Sequence, residues 1–87
     1  MYVIAMYDVA SERCGKMLKL CRQHLLWINN SVFEGEISEA KLKELKLAAK
    51  EIMDEQYDCF IIFQNRHKNW LEKEIIGKEK ANIDQFL

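Results

Sequence analysis

The amino-acid sequence predicts an α+β fold in which two helices cover one face of a four-stranded antiparallel sheet. Two apolar runs, Tyr2 to Tyr7 and Cys59 to Phe63, have the length and composition of strands that are buried on both faces. Two amphipathic stretches lie between these runs. Because the 87 residues include no proline and show no linker composition, we expect one domain, small enough to gain stability from a partner chain.

The first third of the chain reads as a strand followed by a helix. The apolar run ends in a single carboxylate, Asp8, and Ser11 follows at a distance suited to capping a helix. The next apolar residues have the spacing of one buried helical face, which predicts a helix over residues 11 to 25. These apolar residues are Cys14, Met17, Leu18, Cys21 and Leu25.

The rest of the core contains two short strands, a helix and the final apolar strand. Residues 26 to 29 and 31 to 37 read as two strands or as one bent strand. Ser38 is expected to cap a second helix over residues 39 to 54, where apolar residues repeat with helical period. The order strand, helix, strand, strand, helix, strand is the split βαβ order of ferredoxin-like domains.

This architecture leaves one face of the sheet without a cover. Both helices lie on the other face, yet the two apolar strands have apolar side chains pointing to each side. A second copy of the chain would cover the free face economically, because two-fold dimers are the commonest closed assemblies. We therefore expect a homodimer that forms through the sheet face.

Residues 69 to 87 are predicted to be a C-terminal extension of a core at residues 1 to 68. The apolar residues between Trp70 and Ile76 are too few to decide between a fifth strand and a short helix. In either form, we expect the extension to pack on the partner chain, close to its edge strand.

Charge and cysteine content limit the classes of function. The chain has 13 basic and 14 acidic residues, a net charge of −1, so nucleic acid would have to bind at a local basic patch. The three cysteines lack the paired spacing of a zinc site and lie within apolar patterns, as expected of reduced core residues. The N-terminus resembles neither a signal peptide nor a membrane span, and we expect a cytoplasmic protein without membrane contact.

Asp8 is the strongest candidate for chemistry. A carboxylate at the mouth of a buried strand requires solvent, a hydrogen-bond donor, a cation or a metal ion. It could hydrogen-bond the turn between strand and helix, or it could bind Mg²⁺, which accepts one or two carboxylates and fills its other positions with water and phosphate oxygens. In a two-fold dimer, a second Asp8 could complete the magnesium site and support phosphodiester hydrolysis.

The first predicted helix carries the best candidate patch for nucleic acid. Its four basic residues are opposed only by Glu12, whereas the second helix mixes lysines with glutamates. These basic residues are Arg13, Lys16, Lys19 and Arg22. Phe33, on the third predicted strand, is either a packing residue of the core or dimer, or a wall beside the metal.

Three segments in this order resemble the second Cas family, the small CRISPR-associated proteins of the adaptation step. They are the Tyr2 to Asp8 strand, the Asn30-Ser31-Val32-Phe33-Glu34-Gly35-Glu36 segment, and the amphipathic helix after Ser38. The resemblance implies a ferredoxin-like homodimer that bridges two dimers of the CRISPR integrase and holds foreign DNA during spacer capture. It also implies a metal-dependent nuclease acting on single-stranded RNA or duplex DNA, as reported for some members.

The resemblance also assigns roles to individual residues. The metal-binding aspartate of the family falls on Asp8, its aromatic residue on Phe33, and its basic residues on Arg13 and Lys16. Trp27 departs from the pattern, because some members have a basic residue there. A stand-alone toxin-like ribonuclease of the same fold and a non-catalytic ferredoxin-like dimerisation module remain the alternative functions.

Overall fold

The structure is a computed structural model that describes residues 1–67, 69 and 71–78. The order of elements predicted from the sequence is confirmed, and each predicted boundary lies within two residues of the observed one. The elements are β1 (Tyr2–Asp8), α1 (Ser11–His24), β2 (Leu26–Asn29), β3 (Val32–Glu36), α2 (Glu39–Ile52) and β4 (Cys59–Asn65).

The four strands form one antiparallel sheet in the order β2-β3-β1-β4. β1 lies inside the sheet and pairs with both β3 and β4, with Ala5 opposite Phe33 on one side and Ile62 on the other. Val3, Ala5 and Phe33 are fully buried in one core with apolar residues of both helices. Both helices therefore lie on the face of the sheet that these three residues share, as predicted.

The opposite side of the sheet, which we call the open face, is covered by no helix among residues 1–67, 69 and 71–78. Side chains alternate between the two faces along each strand, so cross-strand partners share a face. The residues of the open face are Tyr2, Ile4, Met6 and Asp8 of β1, Leu26 of β2, Val32, Glu34 and Glu36 of β3, and Cys59, Ile61, Phe63 and Asn65 of β4.

Large apolar side chains remain exposed on the open face. Leu26 is 59%, Ile61 43% and Phe63 56% exposed. Exposed large apolar side chains on one face of a sheet are typical of a contact with another molecule rather than of a face that meets water. Cys59 is also exposed here, so the expectation that all three cysteines are core residues is wrong for this one, because it lies on the uncovered side of β4.

The two helices begin in different ways. The Ser38 hydroxyl accepts a hydrogen bond from the Lys41 backbone N–H at 3.1 Å, which confirms the predicted cap of α2. The prediction that Ser11 caps α1 is wrong, because Ser11 is already the first helical residue and Ala10 is the capping position. The Asp58 carboxylate instead holds this turn, accepting a hydrogen bond from the Ala10 backbone N–H at 2.9 Å.

The described part of the C-terminal extension runs against the open face of its own chain. Residues 71–76 form neither a helix nor a strand. Lys73 Nζ makes an ion pair with the Glu34 carboxylate, and Leu71 is half-buried. Residues 79–87 and Trp70 lie outside the described residues, so the packing of residues 69–87 on a partner stays a prediction. Among the described residues, no helix is long and apolar enough to cross a membrane.

Candidate functional site

Asp8 lies at the end of β1, on the open face, directly opposite Cys59 of β4. Its side chain is exposed, and it forms neither a hydrogen bond nor an ion pair with any other residue in the described ranges. The Asp8 carboxylate therefore does not hydrogen-bond the turn between β1 and α1 within the described residues, so this structural role is not observed. A solvated carboxylate in this condition keeps both oxygens available for a cation.

One chain by itself does not enclose a metal ion. Residues 1–67, 69 and 71–78 contain no group of three or more histidine, cysteine, aspartate or glutamate side chains arranged to hold one. A lone carboxylate is still compatible with the usual coordination of Mg²⁺, which keeps several waters and uses one or two protein carboxylates together with phosphate oxygens. The donor chemistry at Asp8 thus suits a hard divalent cation shared with a second carboxylate or with the substrate.

Asp58 fixes the turn that follows Asp8, a role that no local pattern in the sequence indicates. Its side chain is 1% exposed and pairs with Arg13, with Nε donating to Oδ2 at 2.5 Å and Nη2 donating to Oδ1 at 3.1 Å. It also accepts hydrogen bonds from the backbone N–H groups of Ala10 and Asp54 at 2.9 Å each. The Arg13 guanidinium and these N–H groups hold the pKa of Asp58 well below its usual range.

This pair separates Arg13 from the other basic residues of α1. Its guanidinium lies between Asp58 and Glu12, and its side chain is 22% exposed, so its observed contacts stabilise the start of the helix. Lys16, Lys19 and Arg22 are exposed along α1. The predicted row of four basic residues is therefore an exposed row of three, plus Arg13, whose guanidinium is paired with the buried Asp58 carboxylate.

Phe33 lies on the helix-covered face, on the opposite side of the sheet from Asp8. It is fully buried, and its ring stacks on Tyr7 with centroids 6.0 Å apart and an interplanar angle of 25°. Of the two roles expected for Phe33, packing in the core is the one that this position supports. A wall beside Asp8 would require a side chain on the open face.

Replacing Phe33 by alanine is expected to lower the free energy of unfolding by about 3–5 kcal/mol, because the change leaves a cavity in the core. Phe33→Leu keeps most of the volume and should cost about 1.5 kcal/mol or less. Urea unfolding followed by circular dichroism measures both variants. Wild-type stability in the alanine variant would contradict the packing role.

Glu34 is a second acidic residue of the open face, but its environment differs from that of Asp8. It is 7% exposed, accepts a hydrogen bond from the Tyr2 hydroxyl at 2.5 Å and pairs with Lys73. Burial and the Glu34 carboxylate raise the pKa of Tyr2 to about 12. Glu34 is thus held within the chain, whereas Asp8 is open to solvent.

Comparisons with known proteins agree on one family. The sequence model described as CRISPR associated protein Cas2 matches residues 1–73. A CRISPR-associated endoribonuclease Cas2 from Dictyoglomus turgidum is 44% identical over 87 residues, which cover all of both chains. A crystal structure described as cas2 is 42% identical, with a TM-score of 0.83 over 92% of this chain and 90% of the other. The Streptococcus pyogenes Cas2 crystal structure is 30% identical, with a TM-score of 0.73 over 85% of this chain and 99% of the other. The chain therefore belongs to the Cas2 family of CRISPR-associated proteins.

Proposed function

We propose that this chain forms a homodimeric, metal-dependent endonuclease that takes part in CRISPR adaptation. The observation that carries the proposal is the exposed Asp8 carboxylate, which lies on the open face and bonds to no other described residue. The relative from Dictyoglomus turgidum is named an endoribonuclease, which supports RNA as a substrate. We take single-stranded RNA as the first substrate to test and duplex DNA as the second.

The dimer forms through the open faces of two copies. Leu26, Ile61 and Phe63 are each more than two-fifths exposed in one chain, and an isologous contact would remove all of them from water. The two Asp8 side chains come together if the two-fold axis passes near the ends of the two β1 strands. The C-terminal extension, residues 69–87, then contacts the partner chain in addition to the open face of its own chain, where Lys73 pairs with Glu34.

Each residue of the site has a separate task. The paired Asp8 carboxylates would hold one Mg²⁺ or a similar divalent cation, which when bound would neutralise charge on the phosphate and lower the pKa of a water. Lys16, Lys19 and Arg22 bind phosphates of the nucleic acid backbone. The Arg13–Asp58 pair keeps the turn after Asp8 in place, which would limit the positions available to the Asp8 carboxylate.

The adaptation role uses the same dimer as a scaffold. Two-fold symmetry would place the basic row of α1 on both flanks of the molecule, where it suits a DNA duplex laid across the dimer. We propose that the dimer bridges subunits of the CRISPR integrase in the cytoplasm and holds DNA between them. Salt-dependent binding of a DNA duplex, if measured, would support this role over a non-catalytic dimerisation module without nucleic acid.

A cleavage assay with and without a chelator tests the proposed nuclease. We expect the purified chain to cleave single-stranded RNA in the presence of Mg²⁺, and we expect EDTA to stop the reaction. Restoring activity with excess Mg²⁺ excludes a chelator effect on the protein itself. Cleavage that continues in EDTA, or no cleavage of either RNA or DNA with the metal present, would contradict the proposal.

Introducing a charge on the open face is expected to break the dimer. Sedimentation at micromolar concentration should show twice the chain mass of 10.4 kDa for the wild type and a single chain mass for Phe63→Glu, because the dimer would bury an unpaired carboxylate. Leu47→Glu is the matched control, since Leu47 is 55% exposed on α2, away from the open face. A monomeric wild type, or an equal effect of both variants, would overturn the interface.

A further inference from the structure

Arg22 and Trp27 form a cation–π pair on the helix-covered side of the molecule. The guanidinium carbon of Arg22 lies over the Trp27 ring, 5.4 Å from its centroid. This distance is within the range of cation–π attraction. Arg22 belongs to the last turn of α1 and Trp27 to β2, so the pair joins two elements that are consecutive in the chain.

The indole ring is itself held in place. Trp27 is half-buried and packs against the hydrophobic core, and it lies directly opposite the fully buried Phe33 on the neighbouring strand. Its Nε1–H donates a hydrogen bond to the backbone carbonyl of Asn30 at 2.8 Å. A ring fixed by packing and by a hydrogen bond limits the conformations that a stacked arginine adopts.

Arg22 continues the exposed cationic row of α1. Lys16, Lys19 and Arg22 follow one another at three-residue spacing, a rise of about 4.5 Å for each step along the helix. Arg22 differs from the two lysines in having a planar guanidinium, whose in-plane N–H donors match the oxygens of a phosphate in pairs.

We propose that Trp27 is a positioning residue that holds Arg22 as an anchor for a phosphate of the nucleic acid backbone. This inference rests on the proposed nucleic-acid binding and names one phosphate subsite, at the C-terminal end of α1. Trp27 acts by ordering the arginine before binding, so that the side chain gives up less conformational freedom when the phosphate arrives. Trp27 should therefore affect the affinity for nucleic acid only when Arg22 is present.

A double-mutant cycle tests this dependence. The probe is a fluorescently labelled DNA duplex, titrated with protein by anisotropy between about 50 and 200 mM salt. We expect Trp27→Leu to weaken binding by about two- to fivefold without changing the salt slope, and Trp27→Phe, which keeps an aromatic face, to weaken it less. Arg22→Ala should weaken binding and reduce the slope by about 0.9 for each phosphate that the arginine neutralises, whereas Arg22→Lys should keep the slope.

The decisive comparison is Trp27→Leu in the Arg22→Ala background, where we expect no further decrease in affinity. Lys43→Ala, on the exposed surface of α2, is the control for a charge outside the basic row. An equal decrease from Trp27→Leu with and without Arg22 would show a structural effect and overturn the inference. The inference also fails if Lys19→Ala weakens binding and Arg22→Ala does not. If the wild type shows no salt-dependent binding, the proposed function fails together with it.

Discussion

Asp8→Asn is expected to reduce metal-dependent cleavage by roughly a thousandfold or more, while the fold and the dimer stay intact. The change removes the charge that attracts a divalent cation and keeps the size of the side chain. The Asp8 side chain is exposed and bonds to no other described residue, so the variant should unfold at the wild-type temperature. Initial rates on single-stranded RNA, with sedimentation of the same sample, measure both effects.

Glu51→Gln is the matched control for Asp8→Asn. Glu51 is exposed at the end of α2, and its replacement removes one negative charge without touching the open face. We expect this variant to cleave RNA at the wild-type rate. Wild-type cleavage by Asp8→Asn would refute the assignment of the metal ligand.

Mixed dimers separate a shared site from two independent ones. If both Asp8 carboxylates hold one cation, a dimer with one Asp8→Asn chain is inactive, and an equal mixture of refolded chains keeps roughly a quarter of the activity. Two independent sites would leave about half of the activity in the same mixture. Activity that falls in proportion to the wild-type fraction would therefore contradict the shared site.

Asp58→Asn is expected to lower the melting temperature by roughly 10 °C or more. The variant leaves the Arg13 guanidinium beside a neutral amide. The loss is costly because the side chain at position 58 is only 1% exposed, so little water can replace the lost charge. It also weakens the hydrogen bonds to the backbone N–H groups of Ala10 and Asp54. Thermal unfolding followed by circular dichroism measures the change, with Glu51→Gln as the control of equal charge.

The stability contributed by Asp58 should depend on pH in one direction. Arg13 lowers the pKa of Asp58 in the folded chain, so the unfolded chain binds a proton first as the pH falls. The contribution is complete above about pH 4, the unfolded value, and it is lost at more acidic pH. Urea unfolding at neutral pH and near pH 3 should show a smaller difference between wild type and Asp58→Asn at the acidic pH. A difference that stays constant would argue against the charged pair.

Much of the fold could be predicted because its signals are local. Apolar periodicity separates helices from strands within a window of a few residues, and a serine before an amphipathic stretch identified the start of α2. The same reasoning gave a wrong cap for α1. Ser11 is a residue type that caps helices, but Asp58 holds the first turn. A cap supplied from 48 residues away leaves no local signal.

The site was predictable only in part for the same reason. Asp8 stood out because a carboxylate directly after an apolar strand is unusual. Arg13 looked like its neighbours in the basic row, and only the pairing of β1 with β4 brings Asp58 to it. The stacking of Arg22 on Trp27 likewise depends on how α1 returns to the sheet.

The sequence by itself determined the order of helices and strands, the two strands with apolar side chains on both faces, and the aspartate at the end of β1. Each of these depends on residues that are close together in the chain. The tertiary structure decided which face each side chain occupies and which charges are paired. It separated Asp8 from Phe33 by the thickness of the sheet and joined Asp58 to Arg13 across 45 residues of sequence. The physical reason is strand register, since a shift of one residue would exchange the two faces and every partner on them.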